Sequence, residues 1–234
     1  MTGANKGIGF EVARQLAARG CTVLLGARNP ALGEAAAAKL AVEGLDVRYL
    51  HIDLIDLPTV GAAAEAIATD YGRLDVLVNN AGMAAAGDGS ATSATLDAIE
   101  QVLRVNLIGS VAVTQAMLPL LRKSPSARIV NVSSGLGSLT KNTDAPFAAA
   151  ASSYFGYCAS KAALNMFTVH LAHQLRDTAI KVNASAPGYT ATDLNFHRGT
   201  QTIPEGAAET IRLALLSDNG PTGSFTETMG VVPW

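Results

Sequence analysis

The sequence predicts an α/β fold in which helices cover both faces of a doubly wound parallel sheet. Short apolar segments alternate with helical segments along the chain, and the connections between them are short. Because neighbouring parallel strands are joined by crossover helices, this alternation is the signature of such a sheet. No internal repeat, low-complexity linker or second domain interrupts it, so we expect a single domain over residues 1–234. The predicted strands are 22–27, 46–52, 74–78, 128–132 and 180–186, and the predicted helices are 10–19, 31–44, 56–72, 94–123 and 157–176.

Composition and charge narrow the class of protein. Hydrophobic residues make up 49% of the chain and charged residues 15%, which is typical of a globular protein with a sizeable core. The net charge of −2 offers no basic surface to nucleic acid or to an anionic membrane. No apolar run approaches the ~20 residues of a membrane span, and no charged-then-apolar leader opens the chain. With Cys21 and Cys158 as the only thiols, we expect a cytoplasmic protein without disulfides.

A glycine-rich segment opens the chain. Residues 2–9 read Thr-Gly-Ala-Asn-Lys-Gly-Ile-Gly and lead directly into an amphipathic helix. Glycines at this spacing let the backbone turn sharply, and the helix N-terminus offers unpaired N–H groups to a pyrophosphate. The spacing differs from the commoner Gly-x-Gly-x-x-Gly fingerprint, and an ordinary glycine-rich turn is the alternative. The predicted nucleotide contacts in this loop are Gly3, Asn5, Lys6, Gly7, Ile8 and Gly9.

The strand that ordinarily precedes such a loop is missing from the sequence. Only Met1 stands before Thr2. Either the first strand lies upstream of an incorrectly assigned start, or it has been left out of the chain. If it is truly absent, the sheet loses its centre, and we expect an unstable or repacked domain.

The residue that follows the next strand indicates the type of nucleotide. Residues 22–27 form a short apolar run typical of a buried parallel strand, and Arg28 comes directly after it. An acidic side chain about 20 positions beyond the glycine loop binds a ribose 2′-hydroxyl, whereas a basic one suits a 2′-phosphate. Arg28, with Lys6 as a second cation, therefore favours NADP(H). A solvated surface charge is the alternative for Arg28.

The next two strands end in polar or small residues. Asp53 and Leu54 follow the predicted strand 46–52, and Asn79-Asn80-Ala81-Gly82 follow the predicted strand 74–78. The Asp53 carboxylate can accept a hydrogen bond from the adenine amine, or it can simply begin the next helix. Two amides followed by small residues can stabilise a neighbouring strand end and let the cofactor ribose approach the backbone. Asp53, Leu54, Asn80, Ala81 and Gly82 are therefore candidate cofactor contacts.

The second half of the chain continues this pattern. Ser133 and Ser134 follow one strand, and Pro187-Gly188 follow the last. In open α/β sheets, ligands gather at the carboxyl ends of the strands. We therefore expect a single edge of the sheet to carry Gly3–Gly9, Arg28, Asp53, Asn80 and Ser134.

A tyrosine and a lysine four positions apart are the candidate proton-transfer groups. On a helix, Tyr157 and Lys161 share one face about one turn apart. A free phenol has a pKa near ~10, and an ammonium group beside it should lower that pKa. A proton donor suited to neutral pH would result. Taken alone, the pair also occurs by chance on many amphipathic helices.

Together these segments resemble the short-chain dehydrogenase/reductase family, over essentially the whole chain. The residues that carry the resemblance are Thr2-Gly3-x-x-x-Gly7-Ile8-Gly9, Asn79-Asn80-Ala81-Gly82, Asn106, Ser134, Tyr157-x-x-x-Lys161 and Pro187-Gly188. Asn5-Lys6, Arg28 and residues 230–234 are similar to the NADPH-dependent carbonyl reductase branch of that family. The resemblance implies a Rossmann-type fold, NADP(H) as the cofactor, and hydride transfer that reduces a carbonyl group to an alcohol.

The resemblance also implies individual roles. Tyr157 would be the general acid in ketone reduction, and Lys161 would lower the pKa of Tyr157 and bind the nicotinamide ribose. Ser134, chosen over Ser133 from its place in the family pattern, would hydrogen-bond the substrate carbonyl. Asn106 would hold a water that relays protons to Lys161. The remaining cofactor contacts implied at the nicotinamide end are Pro187, Gly188, Thr190 and Thr192.

The chain departs from the shortest family members around the substrate. Ser134 and Tyr157 are 23 positions apart, and the extra residues, about 141–153, should form a flap beside the pocket. The loop 194–203 should also face the substrate. Neither segment carries an obvious charged anchor, so we expect a small apolar ketone, aldehyde or quinone. An insertion at this place can cover the helix face used for tetramers, and a monomer or homodimer is therefore expected.

Two other functions remain open. An alcohol or steroid-type dehydrogenase working in the oxidative direction would favour NAD(H). A catalytically silent NADP-binding sensor protein is the other, although such proteins often lose the tyrosine or the lysine and both are present here. No metal site is expected, because the four histidines show no ligand clustering.

Overall fold

A computed structural model describes residues 1–234 as a layered arrangement of parallel strands and helices. The strands are β1 (Val23–Ala27), β2 (Val47–His51), β3 (Val76–Asn79), β4 (Arg128–Val132), β5 (Lys181–Ser185), β6 (Phe225–Glu227) and β7 (Gly230–Val231). The α-helices are α1 (Gly7–Ala17), α2 (Pro30–Val42), α3 (Leu57–Asp70), α4 (Leu96–Leu103), α5 (Ser110–Leu121), α6 (Ala145–Ala151), α7 (Phe155–Gln174) and α8 (Ile203–Ala214).

The predicted fold class is confirmed. β1 pairs with β2 in parallel, while β3, β4, β5 and β6 form a second parallel set that β7 closes with an antiparallel edge. Each connection between consecutive parallel strands contains at least one helix. This is the doubly wound arrangement that the alternation of the sequence predicted.

The first four residues lie between the two sets of strands. The N–H of Thr2 donates to the Val78 carbonyl at 3.0 Å, and the N–H of Gly26 donates to the Met1 carbonyl at 2.8 Å. The N–H of Ala4 also donates to the Gly26 carbonyl, at 3.0 Å. This short segment forms no regular strand, as expected, but it hydrogen-bonds both neighbours. The centre of the sheet therefore lacks a regular strand only between β1 and β3, where this segment lies. The other strands pair in order on either side of it.

Two hydrophobic clusters cover the two faces of the sheet. Along β3, Leu77 belongs to one cluster and Val78 to the other, and along β4 the same holds for Ile129 and Val130. Successive side chains of a strand point to opposite faces, so this division follows from the pleat. One cluster packs α1, α2 and α8 against the sheet, and the other packs α3, α5 and α7.

Three segments differ from the prediction. The helix predicted over 94–123 is instead α4 and α5 joined by a π-helical turn, Arg104–Gly109. The insertion predicted as a flap forms a 3₁₀ turn, Lys141–Thr143, followed by α6. The elements α8, β6 and β7 were not predicted. The sequence did carry a signal for α8, a capping box of Thr202 and Glu205, whereas β6 and β7 are only three and two residues long.

The continuous helical stretch Leu96–Leu121 bears on the expectation that no segment could span a membrane. By length and composition alone it could cross a membrane, although a single such helix is weak evidence because the core helix of a folded domain passes the same test. Its π-helical turn packs against α7, and α5 packs against α3 and β3. Its buried polar residues Asn106, Ser110 and Thr114 are hydrogen-bonded within the protein. Its contacts are those of a core helix.

Candidate active site

A cleft of about 450 Å³ opens at the carboxyl ends of the strands, where the sequence predicted a site. Most of the predicted residues line it. They are Gly3, Asn5, Lys6, Gly7, Ile8, Gly9, Arg28, Asp53, Leu54, Asn80, Ala81, Gly82, Tyr157, Lys161, Pro187 and Thr192. The cleft walls also include Leu194 of the predicted substrate loop, and residues that sequence reasoning missed, namely Ala27, Ile52, Ile55, Met83, Ala84, Val105, Val132, Ser133 and Asp193. Most of these are direct neighbours of predicted residues at the same strand ends.

The glycine loop is shaped by close contact with the end of β3. Gly3 has a φ of +61°, and a Cβ there would lie 2.8 Å from the Cα of Ala81. A Cβ on Gly9 would overlap the Gly3 carbonyl oxygen and the Asn80 side-chain nitrogen. Side chains are therefore excluded from both positions. The loop then enters α1, whose N-terminus is not capped by any side chain, so its first N–H groups face the cleft without a side-chain partner.

Asn80 holds the glycine loop against the sheet. Its Nδ2 donates to the carbonyl oxygens of Thr2 and Gly3 at 3.0 and 2.9 Å, while the Thr2 hydroxyl accepts from the N–H groups of Asn80 and Ala81 at 3.1 Å each. The predicted support of a neighbouring strand end comes instead from Asn79, whose Nδ2 donates to the Asn131 Oδ1 of β4 at 2.8 Å. Asn80 orders the wall of the cleft by holding the glycine loop.

Four charged side chains lie along the outer part of the cleft. Arg28 is exposed after β1 and forms no ion pair. The ammonium of Lys6 contacts the carboxylate of Asp193 at 2.6 Å, and this ion pair lowers the pKa of Asp193. Asp53 accepts from the N–H of Ile55 at 3.0 Å.

Tyr157 and Lys161 lie on the first turns of α7, at the inner end of the cleft. Lys161 is 3% exposed, and its Nζ donates to the Val132 carbonyl at 2.8 Å. Its Nζ is 5.6 Å from the centroid of the Tyr157 ring. The predicted pairing on one helical face is therefore present.

The direction of the Tyr157 pKa shift is opposite to the prediction. Burial raises the pKa of Tyr157 to about 12, and a hydrogen bond with the Ser134 side chain offsets only part of that rise. Burial also lowers the pKa of Lys161 to about 8. The charged forms of both groups lose hydration in the folded protein, and this loss is the largest cause of both shifts.

The two neighbouring serines after β4 have different surroundings. The Ser133 hydroxyl is buried and donates to the Asn165 side-chain oxygen at 2.6 Å, which fixes it to α7. The Ser134 hydroxyl accepts from the N–H of Leu136 at 3.2 Å and acts on the Tyr157 phenol. Ser134 itself borders the cleft without lining it. Of the two hydroxyls, the one of Ser134 is the one that affects the pKa of Tyr157.

The Asn106 side chain is hydrogen-bonded to protein groups at both of its polar atoms. It is fully buried in the π-helical turn, where its Oδ1 accepts from the N–H of Met83 at 2.8 Å. Its Nδ2 donates to the Met83 carbonyl and to the Ser160 hydroxyl, both at 3.0 Å. Since every polar atom of the amide is paired, Asn106 is a satisfied core amide that joins the end of β3 to α7.

Gly188 and Thr190 also differ from the prediction, because neither lines the cleft. Gly188 has a φ of +74° and turns the chain after β5, packed against Gln201. Thr190 is 4% exposed, and its hydroxyl donates to the Pro187 carbonyl at 3.0 Å. Both residues shape the turn that carries Thr192 to the cleft.

The start of α7 is held by a carboxylate that sequence reasoning missed. Asp88 accepts from the N–H of Gly156 at 2.7 Å and from the N–H of Tyr157 at 2.9 Å. The N–H of Phe155 donates to the carbonyl of Gly89 at 2.9 Å. The loop after β3 thus satisfies the first three N–H groups of the helix, and no local sequence signal indicates a cap that lies nearly 70 residues away.

The insertion packs beside the residues that follow Ser134. The Asn142 side chain donates to the carbonyl oxygens of Leu136 and Ser138 at 3.0 and 2.8 Å. Lys141, inside this insertion, forms an ion pair with Glu227 at 3.1 Å. No residue of 141–153 lines the cleft, so the predicted flap lies next to the site and not over it.

Comparisons of the chain with a family model, with sequence relatives and with solved structures agree with one another. The family model described as short chain dehydrogenase matches residues 1–202. The (-)-isopiperitenone reductase of Mentha piperita is 33% identical over 96% of this chain and 94% of its own length. The structure of salutaridine reductase from Papaver somniferum superimposes with a TM-score of 0.83 at 32% identity, covering 97% of this chain and 98% of its own. The NADPH-bound carbonyl reductase from chicken fatty liver gives a TM-score of 0.85 at 29% identity, covering 100% and 97%.

Proposed function

Because this chain belongs to the short-chain dehydrogenase family, we propose that it reduces the carbonyl group of a small apolar ketone, aldehyde or quinone with NADPH. The observation that carries the proposal is the pairing of Tyr157 with the buried Lys161, with Ser134 beside the phenol, at the inner end of the cleft. The outer end of the same cleft carries the cations Arg28 and Lys6. Proton-donating groups and phosphate-binding groups thus share one cavity.

The residues of the cleft fit NADP(H). The uncapped N-terminus of α1 suits the pyrophosphate, and the loop around Gly3 and Gly9 leaves no side chain in the way. Arg28 and Lys6 would hold the 2′-phosphate. Asp53 would accept from the adenine amine, and Lys161 would bind the nicotinamide ribose. A chicken carbonyl reductase with NADPH bound is among the similar structures. When bound, the nicotinamide supplies the hydride.

Tyr157 acts as the proton donor. Because burial keeps the pKa of its phenol high, at about 12, the hydroxyl is protonated at neutral pH and can donate to a carbonyl oxygen. Negative charge grows on that oxygen as hydride reaches the carbonyl carbon. The hydroxyls of Tyr157 and Ser134 stabilise this charge where it develops, and the nearby Lys161 ammonium stabilises the phenolate that is left.

The segments 141–153 and 194–203 are the proposed substrate loops of a single domain over residues 1–234. Leu194 lines the cleft, and Phe196 next to it is 80% exposed. The cation nearest Ser134 from the insertion, Lys141, is already paired with Glu227. An apolar carbonyl compound therefore suits the pocket better than a keto acid. The free thiols Cys21 and Cys158 support a reducing compartment, the cytoplasm. We propose a monomer or a homodimer there.

The first test is a carbonyl substrate screen. The protein is mixed with NADPH and with small ketones, aldehydes and quinones, and the loss of NADPH absorbance is followed. We expect turnover of apolar compounds and little turnover of keto acids of the same size. Faster alcohol oxidation with NAD would favour a dehydrogenase instead, and nucleotide binding without any turnover would favour a silent sensor.

Replacing Arg28 by Ala tests the cofactor. We expect the Kd of NADPH to rise by about 10- to 100-fold, because a hydrogen bond to a charged group contributes about 1.5–3 kcal/mol. The Kd of NADH, which lacks the 2′-phosphate, should stay within twofold of wild type. Fluorescence titration measures both. Arg176→Ala, on an exposed cation after α7, is the matched control. Equal weakening of NADH and NADPH by Arg28→Ala would contradict this role.

The rate of reduction should depend on the ionisation of Lys161. Its pKa of about 8 means that the side chain is cationic below that pH and neutral above it, while Tyr157 stays protonated up to about pH 12. We therefore expect kcat/KM for reduction to be level below about pH 8 and then to fall by about tenfold per pH unit. Steady-state assays across this range measure the profile. Lys161→Arg keeps the charge and should remove the decline; a wild-type profile that stays level through pH 10 would contradict the role of the cation.

A further inference from the structure

An ion pair joins the two rims of the cleft. Lys6 is the residue before α1, on the nucleotide side, and Asp193 follows Thr192 on the substrate side, 187 positions later in the chain. Their charged atoms are 2.6 Å apart, and both residues line the cavity. A methyl group of Thr192 lies close to Gly7 on the same two segments. The contact thus occupies the cation that the nucleotide phosphate would need.

Asp193 is presented by a tightly built segment. Thr192 and Asn195 form reciprocal capping hydrogen bonds around the 3₁₀ turn Asp193–Asn195. Phe196 and His197 follow with φ angles of 54° and 58°, in the left-handed region that ordinary side chains rarely adopt. The His197 Nε2 lies 2.9 Å from the Asp193 Oδ1, while the other oxygen contacts Lys6. His197 and Lys6 therefore fix the orientation of the Asp193 carboxylate.

We propose that Asp193 competes with the 2′-phosphate of the nucleotide for Lys6, and that it thereby sets the strength of the preference for NADPH over NADH. The inference rests on the proposed function, since it needs a phosphate-bearing nucleotide in this cleft. It makes Asp193, on the substrate-side rim, a specificity-determining residue that weakens binding of the 2′-phosphate.

The exposure of the pair makes an exchange of partners feasible. The side chains of Lys6 and Asp193 are 67% and 55% exposed, and ion pairs so exposed to water are weak. A phosphate with nearly two negative charges can displace a single carboxylate from such a lysine. The displaced Asp193 remains near the phosphate and repels it. Only NADPH experiences this competition, because NADH carries a hydroxyl at the same place.

The test is a double-mutant cycle on nucleotide affinity. Kd values for NADPH and NADH are measured by fluorescence titration for wild type, Asp193→Asn, Lys6→Ala and the double variant. We expect Asp193→Asn to tighten NADPH by about three- to fivefold, the range of an exposed ion pair, and to leave NADH within 1.5-fold. In the Lys6→Ala background the same substitution should change the Kd of NADPH by less than about twofold.

A control variant separates this effect from a general change in charge. Asp177→Asn removes the same charge from an exposed pair with Arg176, beyond the far end of α7. It should leave both Kd values unchanged. A thermal melt of each variant confirms folding, and Asp193→Ser repeats the test if Asp193→Asn unfolds.

Four outcomes overturn the proposal. Weaker NADPH binding by Asp193→Asn would mean that Asp193 orients Lys6 toward the phosphate. An equal effect on NADH, or an undiminished effect without Lys6, would mean that Lys6 is not the shared partner. Failure of the proposed function itself gives a different pattern, in which wild type binds neither nucleotide or turns over no carbonyl compound. Wild type that binds NADPH and reduces ketones, with no change in Asp193→Asn, overturns only the competition.

Discussion

Replacing Tyr157 by Phe is expected to lower kcat for carbonyl reduction by about 10³-fold, because general acid catalysis contributes about 10²–10⁴-fold. The phenyl ring keeps the packing of this half-buried residue of α7, and only the hydroxyl beside Ser134 is lost. The Kd of NADPH should therefore stay within severalfold of wild type. Stopped-flow or steady-state assays and a nucleotide titration measure the two quantities separately.

A second tyrosine offers a matched control for this substitution. Tyr154 precedes α7 and is 47% exposed, and its hydroxyl has no hydrogen-bond partner in the protein. Tyr154→Phe removes the same atom a few residues away and should leave kcat unchanged. Near-normal turnover by Tyr157→Phe would contradict its assignment as the proton donor.

Replacing Gly9 by Ala is expected to disrupt the nucleotide side of the cleft. The added methyl group would overlap the Gly3 carbonyl oxygen and the Asn80 amide, so the two hydrogen bonds from Asn80 to the loop could not both persist. Overpacking of this kind destabilises a protein by about 1–3 kcal/mol. We expect a lower Tm and a Kd for NADPH at least about tenfold higher.

Gly61→Ala is the control for the glycine substitution. Gly61 lies within α3, and a Cβ there would meet no atom within 4 Å. Alanine is the better helix former, so this variant should be neutral or more stable by about 0.5–1 kcal/mol. Unchanged melting and NADPH binding in Gly9→Ala would show that the loop tolerates a side chain at this point, against the packing described above.

Much of the cleft could be predicted because its residues stand next to regular strands. A short apolar run, alternating or continuous, predicts a strand, and the residues directly after it lie at the carboxyl edge of the sheet. Arg28, Asp53 and Asn80 were predicted in this way. The glycines followed from the need for a tight turn before a helix. Such patterns depend only on residues close together in the chain.

The parts that could not be predicted depend on contacts between distant residues. The amide partners of Asn106 come from Met83 and Ser160, so the sequence could not show that the side chain was already saturated. The raised pKa of Tyr157 depends on how completely the folded chain excludes water from it, and neighbouring charge alone indicated the wrong direction. The pairing of Asp193 with Lys6 spans nearly the whole chain.

The hydrogen bonds that the first N–H groups of α7 donate to Asp88 join the reacting end of the cleft to the same loop that follows Asn80 and Ala81. Because Asn80 in turn holds the glycine loop, a local opening that frees the first turn of α7 also loosens the nucleotide side. We therefore expect the two sides of the cleft to open together in hydrogen exchange, as one cooperative unit.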